Sequence, residues 1–297
     1  MTVPQQIFDL DLLSRHRTRI AASATSHDFL LQHVADDLAE RLSIVRRAFP
    51  TALDLGAHHG LLGRRLAATP GIETMISLEP CDLLLALCDP PRMQASLEAL
   101  PLAPASLDLI VSALSLQFVN DLPGTLLQVR RALRPDGLFL GALLGGETLT
   151  ELRQAWLIAE TQITGGASPR VAPSVDVREL GSLVQRAGFS LPVVDAHKLT
   201  VTYASPLTLM QELKAMGASN MLTDRRRLPV TRTLLMRAAT IYSDRFALSD
   251  GRVPATFEIL TITAWCPDPS QPKPLKPGTA QVSLKDVLQP PPRHGRA

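Results

Sequence analysis

Three cysteines in 297 residues are too few for a disulfide framework. Cys81, Cys88 and Cys266 form no C-x-x-C pair either, so they read as reduced thiols of a cytosolic protein. The seven histidines show no H-x-x-x-H or H-E-x-x-H spacing, and no metal site is expected. No apolar run approaches the ~20 residues that span a bilayer. Neither sign of charge dominates, with 30 basic and 28 acidic residues, so nothing pulls the chain toward nucleic acid or a membrane surface. The first residues carry arginines beside Asp9 and Asp11 but no apolar stretch with a cleavage site, so a secretory signal is not expected.

What is present is a folded composition, 45% hydrophobic and 20% charged, long enough for one large domain or one domain with an insertion. The segment 8–49 reads as helical, with Leu30, Leu31, Val34, Leu38, Leu42 and Val45 on one face, and Pro50 stops it. Strand-like runs then alternate with helical ones: Thr51–Leu55, "ETMISLEP", "LDLIVSAL" and "LFLGALLG" as strands, and "LLGRRLAAT", "CDLLLALC" and "DLPGTLLQVRRAL" as helices, the last closed by Pro135-Asp136-Gly137. Such alternation predicts an α/β fold, a mostly parallel sheet with helices on both faces. Further on, "LPVVDAHKLTVTY" and "ATFEILTITAW" are strands separated by about fifty residues holding two helical stretches, too many for a hairpin. The expected organisation is a helical segment over 1–50, a core over 51–204 and 252–266, a helical lid inserted at 205–251, and a proline-rich tail over 267–297.

The stretch "ALDLGAHHGLLGRRLA" decides the ligand class. Asp54, Gly56, Gly60 and Gly63 do not fit the G-x-G-x-x-G dinucleotide fingerprint. They fit the D-x-G-x-G-x-G spacing of class I S-adenosylmethionine methyltransferases, with His58 in place of the middle glycine. Gly56 and Gly60 let the backbone approach a ligand without a Cβ. Asp54 either anchors the loop or receives the ligand's ammonium group. Glu79, ending the next strand, can accept both ribose hydroxyls; the plainer alternatives are a helix cap at Asp54 and a solvated carboxylate at Glu79.

The segment "LPLAPASLDLIVSALSLQFVNDLPGTLLQVRRALRPDGLFLGALLGGETLTELR", with "AETQITGGASPRVAP", "LVQRAGF", "AMGASN", "GRVPATFEILTITAW" and "GTAQVSLKDVL", resembles the mitochondrial complex I assembly factor five family and its alphaproteobacterial relatives. That family is similar to the biotin-pathway malonyl-carrier methyltransferases. The resemblance implies a class I methyltransferase (Rossmann-like) fold and S-adenosylmethionine as cofactor. It implies binding through Asp54, Gly56, Ala57, His58 and Gly60 in the loop, with Glu79, Ser96, Leu97 and Ala113 around it. Ser96 stands where an adenine-facing aspartate is usual, with Glu98 as a nearby substitute. The implied partner is a protein substrate, a respiratory complex I subunit, and three functions stay open: methyl transfer, arginine hydroxylation, or assembly without catalysis. Lacking an obvious mitochondrial leader, the chain suits a bacterial cytosolic location, or the mitochondrial matrix in a eukaryote.

Two residues are candidates for the chemistry. Gln117, after the third strand, either orients a substrate amide or guanidinium or caps a turn with Asn120. Glu147, after Gly145-Gly146 at a strand end, is expected to face the ligand crevice, against a helix-start role. His58 and His59 are candidate bases or plain loop histidines. Arg225, Arg226 and Arg227 read as a solvated face.

Overall fold

The computed structural model describes residues 6–272 and Ser283. Residues up to Pro267 form one compact unit and the chain from Asp268 a second; most of the expected tail lies outside the described residues. In chain order the elements are α1 (Leu10–Ile20), α2 (Phe29–Ser43), β1 (Thr51–Leu55), α3 (Leu61–Ala67), β2 (Thr74–Leu78), α4 (Asp82–Leu85), β3 (Arg92–Met93), β4 (Leu107–Ala113), α5 (Leu122–Ala132) and β5 (Leu133–Leu144). They continue with α6 (Thr150–Thr164), α7 (Val177–Arg186), β6 (Ser190–Tyr203), α8 (Pro206–Ala215), α9 (Arg232–Phe246) and β7 (Val253–Trp265).

The strands form one seven-stranded sheet in the order β3-β2-β1-β4-β5-β7-β6. The first five run parallel, while β7 is antiparallel to both β5 and β6. Strand order reverses between β1 and β4, which opens a crevice above their carboxyl ends. The pleat sorts side chains into two cores. Ala52, Val111, Leu140 and Phe257 face α2, α6 and α9 through Leu38, Trp156 and Tyr242. Leu53, Ile110, Phe139 and Ile262 face α5 and α7 through Leu126, Val129, Leu180 and Val184.

The structure departs from the sequence reading in four places. The first helix breaks at a 3₁₀ turn, Ala21–Ser26, where small hydroxyl residues compete with the helix for backbone bonds; Ser23 Oγ donates to the Ile20 carbonyl. α2 ends at Ser43, well before Pro50. Pro135-Asp136-Gly137 lies inside β5, not beyond a helix: Asp136 adopts φ 61° opposite the register shift between Leu107 and Leu109, a bulge. The short β3 had no periodicity to reveal it.

Between β6 and β7, α9 packs on α6 and into the core. Tyr242 is fully buried, and its hydroxyl donates to the Pro254 carbonyl at 2.6 Å. Among the described residues no helix is long and apolar enough to cross a membrane. Tyr242→Phe removes this tie between α9 and β7. It is expected to lower unfolding stability by about 1–2 kcal/mol, read by denaturant titration; an unchanged midpoint would show that the bond contributes nothing.

Candidate functional site

The crevice is built around the turn after β1. Gly56 and Gly60 take φ of 73° and 79°, and a Cβ on Gly56 would stand 2.4 Å from Ser115 Cβ, so only glycine fits there. Ser115 Oγ donates to the Gly56 carbonyl at 2.7 Å, fixing the turn to the end of β4. The Gly56 and Ala57 N–H groups both donate to the Leu78 carbonyl at the end of β2. His58, in the middle-glycine position, takes φ 53°, a left-handed conformation that histidine enters more often than most side chains.

Glu79 is wholly buried and holds three segments together. Its Oε2 accepts the His58 N–H at 3.0 Å. Its Oε1 accepts the Cys81 N–H at 3.0 Å and Arg17 Nη1 of α1 at 2.8 Å. Arg17 belongs to no motif in the sequence. Its one available signal was the buried face of α1, Leu13, His16, Arg17 and Ile20, a helical stripe on which a cation is out of place unless paired.

Asp54 lies behind the turn. Its Oδ2 accepts the Gly63 N–H at 2.9 Å, and it lines none of the cavities described below. It therefore anchors α3 to β1, one of its two expected roles. Burial, with the Glu79 charge adding to it, pushes its carboxyl from 3.8 up to about 7, against the Gly63 hydrogen bond. The folded chain then keeps a proton between pH ~4 and ~7 that the unfolded chain has lost, so this group's stabilisation is full at low pH and drains as pH rises through 7. Asn at 54 keeps the oxygen acceptor without the ionisation. The stability of Asp54→Asn relative to wild type is expected to grow between pH 5 and 7.5 in denaturant titrations; a constant difference would refute the shift.

Three cavities follow one another along the crevice. The first, about 330 Å³, lies between α1 (Leu10, Leu13, Ser14, Arg17) and the loop Gln94–Glu98 with Pro80 and Cys81. Ser96 and Leu97 thus line it, although Ser96 Oγ already accepts the Glu98 N–H at 3.2 Å. Glu98 accepts the Asn120 N–H, and the Asn120 side chain grips both backbone groups of Phe8, so α1 is tied down at its start. Asp9 adds an ion pair with Arg225 at 3.1 Å, so Arg225 is engaged and not part of a solvated basic face.

The second cavity, about 100 Å³, is lined by Arg17, His27, Asp28, His58, Ala113 to Ser115, Gln117 and Phe118, and by Met216 to Ala218. His58 Nδ1 has no hydrogen-bond partner. Burial, helped by the Arg17 and His59 charges, pulls its imidazole down to about 3, so it is neutral at physiological pH and too weak to serve as a base there. His59 is buried, with Nε2 3.1 Å from Asp28 Oδ2. Gln117 Nε2 donates to the Leu114 carbonyl at 2.8 Å, and its Oε1 is buried without a hydrogen-bond partner. The third cavity, about 130 Å³, shares Gln117 and Phe118 with the second and is mostly apolar, with Thr148, Arg170, Ser174, Ser219 and Asn220 as further polar members. Only the loop after α8, residues 216–222, brings the inserted segment into contact with it beyond Leu213.

Glu147 does not reach the crevice. It is exposed, and its carboxylate stands 3.9 Å from Lys198 Nζ. The glycine pair before it serves another purpose: a Cβ on Gly145 would lie 2.5 Å from Glu258 Oε2, which accepts the Glu147 N–H. Among the described residues no three His, Cys, Asp or Glu side chains converge to hold a metal.

The methyltransferase domain family matches residues 53–141, the stretch from β1 to β5 that carries the turn, Glu79 and Gln117. Along nearly its whole length, 95% of the chain, the protein is 36% identical over 291 residues to the mitochondrial arginine-hydroxylase NDUFAF5 of Danio rerio, covering 89% of that protein. The chain belongs to the NDUFAF5 family. Members of this family are related to enzymes of another name: the malonyl-[acyl-carrier protein] O-methyltransferase of Methylovorus sp. is 31% identical over 304 residues, covering 98% of this chain and 96% of its own. The YcgJ protein of Bacillus subtilis superposes with a TM-score of 0.56 at 14% identity, over 80% of this chain and 99% of its own, which shows the shared fold. The fold is therefore that of class I methyltransferases, with a single reversed strand, β7, set between β5 and β6.

Proposed function

We propose that this protein binds S-adenosylmethionine in the crevice and modifies a protein side chain, that of a respiratory complex I subunit. The observation that carries the reading is Glu79, a buried carboxylate at the end of β2 whose partner Arg17 and neighbours Pro80 and Cys81 line a cavity of about 330 Å³, next to a turn where Gly56 leaves no room for a Cβ. The residues fit the cofactor. Glu79 would take the ribose, the wall from Ser96 to Glu98 the adenine, and the turn with Ala113 the amino-acid end. Bound there, S-adenosylmethionine supplies an electrophilic methyl group on a sulfonium.

The chain's own contribution is alignment, which suffices for much of the rate of such a transfer. Gln117 Oε1, unpaired at the junction of the second and third cavities, accepts an N–H from the substrate and so favours an amide or guanidinium over an ester. The apolar walls of the third cavity exclude water around that group. An arginine side chain fits this acceptor equally under the hydroxylase reading.

Calorimetric titration with S-adenosylmethionine tests the cofactor. Micromolar binding that Glu79→Gln abolishes is expected, and no binding at millimolar ligand by folded protein would sink the proposal. His58→Gly restores the usual residue and removes the ring from the second cavity. It is expected to tighten binding severalfold; weaker binding would mean that the imidazole itself contacts the cofactor.

A further inference from the structure

The hydrogen-bond capacity of Glu79 leaves a conflict. Two carboxylate oxygens offer about four acceptor positions, and three are filled, by Arg17, Cys81 and His58. A ribose diol brings two hydroxyl donors and finds one position free. The Cys81 and His58 donors are main-chain groups fixed by the turn, so only the Arg17 side chain can withdraw. Arg17 is buried, lines both the first and second cavities, and lies over the Phe118 ring at 5.9 Å.

A guanidinium displaced from its carboxylate in a buried crevice is costly unless another anion meets it. Few are on hand. Asp28 accepts from Gln32 Nε2 and stands 3.1 Å from His59 Nε2, and Glu98 accepts the Asn120 N–H. Asp11 is exposed and on the same helix. His27 and His58, the remaining titratable neighbours, supply no negative charge. The missing anion must arrive with the ligand.

We infer that Arg17 exchanges partners, from Glu79 in the free protein to a carboxylate of the ligand in the complex. It thereby selects a ribonucleoside that carries a carboxylate beyond its 5′ carbon. This rests on the cofactor reading above and adds to it a specificity-determining residue on α1, outside the domain match.

Two ligands separate the effects: S-adenosylhomocysteine, and 5′-methylthioadenosine, which has the same nucleoside without the carboxylate. Wild type is expected to prefer the first by roughly tenfold to a hundredfold, the span of a charge-assisted hydrogen bond. In Arg17→Gln the two affinities move in opposite directions. Methylthioadenosine binds tighter because Glu79 is free, S-adenosylhomocysteine binds more weakly, and the preference collapses toward one. Arg17→Lys, which keeps the charge, retains it. A merely structural Arg17 would weaken both ligands alike, and that result overturns the exchange. A wild-type preference near one overturns it too, whether or not Arg17→Gln folds. If binding depends on Glu79 but the preference ignores residue 17, the cofactor reading stands and Arg17 leaves it. If neither ligand binds folded wild type or either variant, the cofactor reading itself fails, and the exchange with it.

Discussion

A carboxylate with no exposure to water carries the organisation of the crevice. Glu79 is held by a guanidinium from α1 and by two N–H groups, one from the turn after β1 and one from the residue two beyond itself. An ionised carboxylate is expensive to bury unless its lone pairs are met. Here the chain brings together segments 62 and 21 positions apart to meet them. The position of α1 over the sheet, the left-handed turn at His58 and the wall of the first cavity all answer to that demand. Phe8 and Asp9, tied to Asn120 and Arg225, secure the start of the same helix.

How legible this was in the sequence depends on whether a constraint is local. Gly56 and Gly60 declare themselves because positive φ and a close Ser115 leave no other residue, and Glu79 is found by counting to the end of the next strand. The alternation of apolar runs gave the sheet and its parallel half. Arg17 escaped because its partner is distant in sequence, and a pairing across 62 residues leaves no periodicity. Glu147 misled for a related reason. A glycine pair at a strand end is a local signal that backbone must pass close to something, but it does not say what. Here it is Glu258, on the neighbouring strand β7, and not a ligand.

The break in the first helix and the bulge in β5 follow the same division. Small hydroxyl residues at 21–26 weaken a helix without forbidding it, so only the packing of α1 against the crevice decides where it stops. Pro135-Asp136-Gly137 is a turn by composition. Pairing on both sides, with β4 and with β7, carries the strand through it and leaves Asp136 in the left-handed region.

His58 shows how a departure from a family pattern can leave the backbone's role intact. The middle glycine is normally spared a side chain so that the turn can bend and a ligand can approach. Histidine adopts the bend, and its N–H still reaches Glu79. What changes is the volume of the second cavity and its polarity, since burial keeps the ring neutral. The loop therefore keeps its backbone contacts while a different side chain lines the second cavity. This is the division expected where one fold serves enzymes named for hydroxylation and for methyl transfer, because a fold does not fix a reaction. In this chain the backbone contacts of the turn follow the common pattern, and the side chains that line the second cavity, among them His58, Gln117 and Arg17, give the crevice its own chemistry.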